Sequence, residues 1–141
     1  MSDSSDSTVL LAVCGAHLEG LPLNYQLTER GAQFVRGDTT APKYRFFALA
    51  GGPPFRPGLI RVNAGESGGA SIAVELWAMP VGRLGDFVAA IPQPLGIGKV
   101  ELANGDWVCS FICEGYAARE SGAEEITHLG SWHAYLAAKN A

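Results

Sequence analysis

His17 stands in Gly15-Ala-His-Leu-Glu-Gly20, a turn that directly follows the apolar run Val9 to Val13. Glycines at both ends let the backbone turn tightly and present successive N–H groups, a geometry that holds carboxylate or phosphate groups. An imidazole in such a turn can give or take a proton near neutrality. The same residues also read as a glycine-rich surface loop with a plain histidine, and the pattern leaves both open. Lys43, Tyr44 and Arg45 form a second cluster at a strand start. A guanidinium offers a carboxylate a bidentate fork; a solvated sheet edge is the alternative. Glu75 interrupts an apolar strand pattern and shares its face with Trp77. Facing inward it is a functional carboxylate or an arginine's partner, and facing outward it is a solvent-side residue. Glu114, next to Gly115 and Tyr116, carries the same two readings. His128 and His133 read as surface residues of the C-terminal segment.

Other chemistries find no support. The chain has no P-loop, no Rossmann glycine pattern and no HExxH, and no Gly-x-Ser-x-Gly elbow. Cys14, Cys109 and Cys113 show no metal-ligand spacing with a histidine, so neither metal nor cofactor is expected. Cys109 and Cys113 fall on one strand, roughly 13 Å apart at ~3.3 Å per residue, too far for a disulfide. All three are expected as reduced thiols. The net charge of −4 argues against nucleic acid as partner, which demands a concentrated basic surface. No apolar run reaches the ~20 residues that span a bilayer, so no membrane partner is expected. The acidic start, Met1-Ser-Asp-Ser-Ser-Asp-Ser7, is unlike a secretory signal, and a cytoplasmic protein is expected.

These residues need a scaffold, and 141 residues with 48% hydrophobic and 17% charged side chains can build one domain with a true core. Residues 1–7 are expected as a polar tail and 8–141 as the single domain. Glycine and proline clusters punctuate short apolar runs, the mark of a β-rich chain. Val9 to Val13 reads as a strand buried on both faces. Leu21 to Arg30 offers one or two helical turns stopped by Gly31. Ala32 to Thr39 and Lys43 to Ala48 read as a strand pair around a turn ending at Pro42. Gly51 to Gly58, with three prolines and three glycines, must be a loop. Leu59 to Val62 and Ser71 to Met79 are strands, and Val81 to Ile91 spaces Leu84, Phe87, Val88 and Ile91 as an amphipathic helix does. Asn104-Gly105 between two apolar runs predicts a type I′ hairpin. Ser131 is a candidate N-cap for a last helix. The pattern predicts an α+β fold: a small, mixed, partly closed β-barrel with short packed helices.

Several of these segments together resemble a known family. Gly15-Ala-His-Leu-Glu-Gly-Leu-Pro-Leu-Asn24 with Gln26-Leu27, Ala41-Pro-Lys-Tyr-Arg45, Pro57-Gly-Leu59 and Phe87-Val-Ala-Ala-Ile-Pro-Gln-Pro-Leu-Gly-Ile-Gly98 resemble the C-terminal domain of allophanate hydrolase. Val100-Glu-Leu102, Cys113-Glu114 and Trp132-His-Ala-Tyr-Leu136 extend the similarity over about residues 9–137. The resemblance implies a γ-glutamylcyclotransferase-like barrel and a metal-independent loss of CO₂ from N-carboxycarbamate, the product of a separate amidase domain. The cyclotransferases use a catalytic glutamate, whereas Ala90-Ile-Pro-Gln-Pro-Leu95 carries no carboxylate; their activity is not expected.

These residues contain no amidase-signature domain, so the chain is expected to be a decarboxylating lyase related to allophanate hydrolase and not a full one. A separate amidase-signature protein is the expected partner, and a homodimer is left open. The alternative is a non-catalytic subunit that binds a small carboxylate or pairs with the amidase. On the catalytic reading His17 donates the proton, Tyr44 is a reserve donor and Glu75 orients His17 or Arg45. Arg45 clamps one carboxylate, Asn24 hydrogen-bonds the carbamate, and Gly15, Ala16, Leu18 and Glu114 complete the substrate contacts.

Overall fold

A computed structural model describes residues 7–52 and 54–140. The expected tail, apart from Ser7, lies outside the described residues. Strand β1 (Thr8–Val13) is the centre of a five-stranded sheet in the order β2-β5-β1-β7-β6. Its last three residues, Leu11, Ala12 and Val13, have no exposed surface, as a continuous apolar run requires. β5 (Ala73–Pro80) pairs with it antiparallel on one side and β7 (Trp107–Cys113) parallel on the other. β2 (Gln33–Thr39) and β6 (Leu95–Glu101) are the edges. A second sheet holds β3 (Tyr44–Ala48) between β4 (Pro57–Arg61) and the two-residue β8 (Glu124–Glu125).

The expected pairing of Ala32–Thr39 with Lys43–Ala48 is corrected. β2 pairs with β5, and β3 pairs with β4 and β8 in the other sheet. Between them Thr40 is fully buried and its hydroxyl accepts the Ile72 N–H at 2.9 Å. The chain therefore crosses between sheets at a residue fixed in the core instead of turning back as a hairpin.

The barrel expectation is refined in the same region. The two edges of the large sheet meet at the Thr40–Leu102 bridge, with Ala41 N–H donating to Glu101 O at 2.8 Å and Ala103 N–H to Thr39 O at 2.9 Å. The sheet is curled and joined at one corner; it is not a closed barrel. The hairpin at Asn104-Gly105 forms, but only Gly105 has a positive φ, 94°. A type I′ turn needs two such residues. The loop is three residues long, Ala103 to Gly105, with Leu102 N–H on Asp106 O at 2.8 Å.

Three short helices flank the sheets: α1 (Tyr25–Thr28), α2 (Val81–Ala89) and α3 (Trp132–Lys139). α2 buries Phe87 against the core. Ser131 caps α3 by accepting the Ala134 N–H. A 3₁₀ turn at Gly115–Arg119 and β8 carry the chain from β7 back to the small sheet; no sequence signal marked them. No helix among the described residues is long and apolar enough to cross a membrane.

Candidate functional site

β1 ends at Val13, and the chain enters the Cys14–Gly20 turn at the C-terminal end of the central strand. Because β7 runs parallel to β1, with Ala12 beside Ser110, Phe111 lies next to the start of that turn. Gly15 is required here by packing: a Cβ on it would run into the ring of Pro57. Gly58 next to it plays the reciprocal part, since a Cβ there would meet Cys113 Sγ at 2.5 Å. The Pro57-Gly58 pair and Gly15 thus form one close contact between the two sheets.

Three successive carbonyls of the turn are taken up by protein. Gly15 O accepts from Leu18 N–H at 2.9 Å, Ala16 O from Leu23 N–H at 2.8 Å, and His17 O from Asn24 Nδ2 at 2.8 Å. Among the described residues nothing accepts the N–H groups of Gly15, Ala16 or His17. The turn is therefore a row of free donors held by its own carbonyls. Glu75 braces its far side: one carboxylate oxygen accepts Glu19 N–H at 2.9 Å and Trp77 Nε1–H at 3.1 Å.

This turn lines a cavity of about 310 Å³. Cys14 to His17 form one wall, and Gln26 and Leu23 adjoin it. Pro54 and Arg56 come from the loop before β4, and Pro57 is the first residue of that strand. Ala90 to Pro92, Leu95 and Phe111 supply an apolar side. Arg56 is half-buried, and no carboxylate among the described residues lies within ion-pair distance of it. Among the described residues no aspartate or glutamate lines the cavity. The site therefore brings together a guanidinium, an imidazole and a turn with unbonded amide donors, and no anion among the described residues lines it.

His17 is held on three sides. Its ring stacks on Phe111 with centroids 4.8 Å apart and meets the edge of Phe87 at 5.4 Å. Nε2 is 2.7 Å from Gln26 Oε1. Burial lowers its pKa below the ordinary histidine value; the Gln26 hydrogen bond opposes this and the nearby Arg30 charge adds to it. The imidazole is thus neutral near pH 7. Burial pushes the Cys14 thiol up to about 12 and Cys113 up to about 11, so both stay protonated. All three cysteines are free.

The structure gathers only part of the set expected from sequence. Gly15, Ala16 and His17 line the cavity. Leu18 is buried in the core, and Asn24 braces the turn through His17 O without lining the cavity. Arg45 lies on the outer face of β3, paired with Glu125 at 2.8 and 3.1 Å and over the Phe47 ring at 5.2 Å. Strand alternation explains this, because Tyr44 and Phe46 on either side are buried. Tyr44 accepts from Arg61 at 3.1 Å and from Glu101 N–H at 2.9 Å, a packing role away from the cavity. Glu114 lines a separate shallow hollow beside Gln93. Glu75 reaches neither His17 nor Arg45; it holds the turn at Glu19. Sequence reasoning missed Arg56 and Gln26. Arg56 was hidden in the proline-rich loop, whose only visible signal was that it could not be regular structure. Gln26 sat on a helical turn nine residues from its partner. Among the described residues no three His, Cys, Asp or Glu gather as a metal site.

The chain matches the allophanate hydrolase C-terminal domain family over residues 9–137. It is 42% identical over 134 residues to a urea amidolyase of Lachancea kluyveri, covering 94% of this chain but 7% of that protein. The fold superimposes on a Kluyveromyces lactis allophanate hydrolase with TM-score 0.90 and 41% identity, covering 99% of this chain and 22% of that one. It also superimposes on c4763, a uropathogenic E. coli-specific protein, with TM-score 0.83 and 37% identity, covering 93% of this chain and 97% of that one. A mouse AIG2-like protein shares the fold at 17% identity and TM-score 0.54 over 79% of this chain, so the architecture is of the γ-glutamylcyclotransferase type. The chain spans a small fraction of the urea amidolyase it matches.

Proposed function

Because this chain belongs to the allophanate hydrolase C-terminal domain family, we propose that its cavity binds N-carboxycarbamate or a closely related small carboxylated amide and removes CO₂ from it without a metal. The supporting observation is the donor set. Arg56, His17 and the turn residues Gly15 and Ala16, whose N–H groups have no acceptor among the described residues, line a cavity that no described carboxylate shares. Such a site favours an anion on electrostatic grounds, and a half-buried guanidinium with no ion-pair partner among the described residues gains most from one.

The reaction fits this set. N-carboxycarbamate is a nitrogen carrying one hydrogen and two carboxylates. Arg56 and the turn amides hold the two carboxylates. As one C–N bond breaks, its electron pair stays on nitrogen and CO₂ leaves. A proton from the His17 imidazolium, charged once the dianion is bound, moves to that nitrogen, giving carbamate. The apolar wall of Ile91, Leu95 and Phe111 keeps the departing carboxylate poorly solvated, which favours release of neutral CO₂. The substrate would come from a separate amidase-signature protein in urea-derived nitrogen metabolism, and this reading carries a cytoplasmic setting.

A coupled assay tests it. Allophanate and a lone amidase domain are supplied with wild type or with His17→Asn. The expectation is faster CO₂ release with wild type, lowered by about 10²-fold or more in a folded His17→Asn, the range for loss of a general acid. No acceleration by wild type, with malonate still bound, would make the chain a binding module and overturn the catalytic reading.

A further inference from the structure

Gln26 is the one side chain that hydrogen-bonds the His17 ring among the described residues, and its chemistry is unusual for the task. A histidine meant to carry a positive charge is commonly paired with a carboxylate. Here the partner is a neutral amide whose oxygen can only accept. With Gln26 Oε1 at 2.7 Å, the contact is a hydrogen bond in the tautomer whose Nε2 bears the hydrogen. Nδ1 has no protein partner among the described residues, and no buried side-chain N or O there is left unsatisfied. Nδ1 is therefore reached by solvent, by way of the cavity that His17 lines.

Resting on the anion-site reading, we propose that Gln26 is a positioning residue that pins the Nε2–H tautomer of a neutral His17, so that the ring gains its proton at Nδ1 only when a dianion occupies the cavity. The site would then select doubly charged ligands over singly charged ones.

The groups around the ring agree with this. Gln26 on α1 is neutral. Arg30, just beyond α1, is positive and is held by Gln26 O at 2.8 Å and by Asp86 of α2 at 2.8 Å. Phe87 of α2 and Phe111 of β7 contribute rings. Across the cavity stands Arg56, which is positive, and on the wall that His17 shares the Cys14 thiol stays neutral. The nearby carboxylates are engaged: Asp86 by Arg30 and Arg83, and Glu29 by Arg30 at 3.4 Å. Two cations and no free anion oppose a charged imidazole. One carboxylate on Arg56 offsets one cation; a second charge on the same ligand faces His17 and supplies what Gln26 withholds. The imidazolium formed takes its proton from solvent, and that proton is the one the proposed reaction consumes.

The experiment is ¹⁵N NMR of the imidazole together with calorimetry in two buffers of different ionisation enthalpy, between pH 6.5 and 8, using malonate and acetate. In the free wild type His17 should be a neutral Nε2–H tautomer, and Gln26→Leu should show a mixture of tautomers. Malonate binding should take up protons, tightening by up to about tenfold per unit fall in pH, the limit for one linked proton; acetate should take up none. Gln26→Glu should show a charged His17 before ligand arrives and no linked uptake. Malonate binding with no proton uptake, or with uptake unchanged in His17→Asn, would overturn the inference while leaving the anion site standing. No malonate binding by wild type would overturn the anion site and, with it, this inference.

Discussion

Two arginines distinguish the readings of this cavity, and substituting each in turn separates them. Arg56 lines the cavity, and no carboxylate among the described residues lies beside it. Arg45 is spent on Glu125 on the outer face of β3. Replacing Arg56 by Gln removes a charge while keeping a hydrogen-bonding side chain. A charge-assisted hydrogen bond to a carboxylate contributes about 1.5–3 kcal/mol. At 1.4 kcal/mol per tenfold, Arg56→Gln should weaken malonate binding by about 10- to 100-fold. The half-buried setting of Arg56 supports the upper part of that range, because fewer waters screen the contact. Arg45→Gln should leave malonate affinity unchanged, since its fork is already occupied away from the cavity. Calorimetry on the two variants and wild type measures both effects, and circular dichroism checks that each is folded. Arg56→Gln binding malonate as wild type does, or Arg45→Gln losing the affinity instead, would refute the assignment of the clamp.

Two further expectations concern stability. Gly15→Ala drives a Cβ into the Pro57 ring; overpacking of this kind costs about 1–3 kcal/mol, so Tm should fall by several degrees and malonate affinity with it, because Pro57 adjoins Arg56. Unchanged Tm and affinity would mean that the two sheets can move apart at this contact. The Arg45–Glu125 pair, backed by Thr127, holds the Glu125 carboxyl down to about 2 from its ordinary 4.5. The folded state then binds the proton less readily than the unfolded one, so the stabilisation is complete above pH 4.5 and is lost as pH falls toward 2. Both side chains are some 40% exposed, so the contribution is only about 0.2–1 kcal/mol; the Tm gap between wild type and Arg45→Gln should be small at pH 7 and close on acidification, and a gap that widens in acid would contradict it.

Legibility in the sequence followed the range of the interactions. β1, β5, the β6–β7 hairpin, α2 and the Ser131 cap are local patterns of apolar spacing, turn residues and capping, and they appeared where spacing put them. The separation of β2 from β3 was not legible, because it depends on Thr40 being clamped between Ile72 and Leu102, partners more than thirty residues away. The hairpin turn type also lay beyond pattern: Asn-Gly announces a turn, while the backbone of Asn104 decides its class.

The site divides along the same line. The turn around His17 was visible because its geometry is a property of a continuous stretch: glycines that free the backbone, and a side chain between them. The groups that complete it come from elsewhere. Arg56 and Arg45 are chemically identical, and both follow an aromatic residue in the chain, Phe55 and Tyr44. Alternation on β3 could say only that Arg45 lies opposite Tyr44 and Phe46; it could not say that this side faces Glu125. What selects Arg56 is the Pro57-Gly58 contact with Gly15 and Cys113, which seats the loop against the turn. The glycine and proline signature that marked residues 51–58 only as irregular was thus the cause of the close approach. Short ring and hydrogen side chains there let two backbone segments meet, and the arginine between them inherits the cavity.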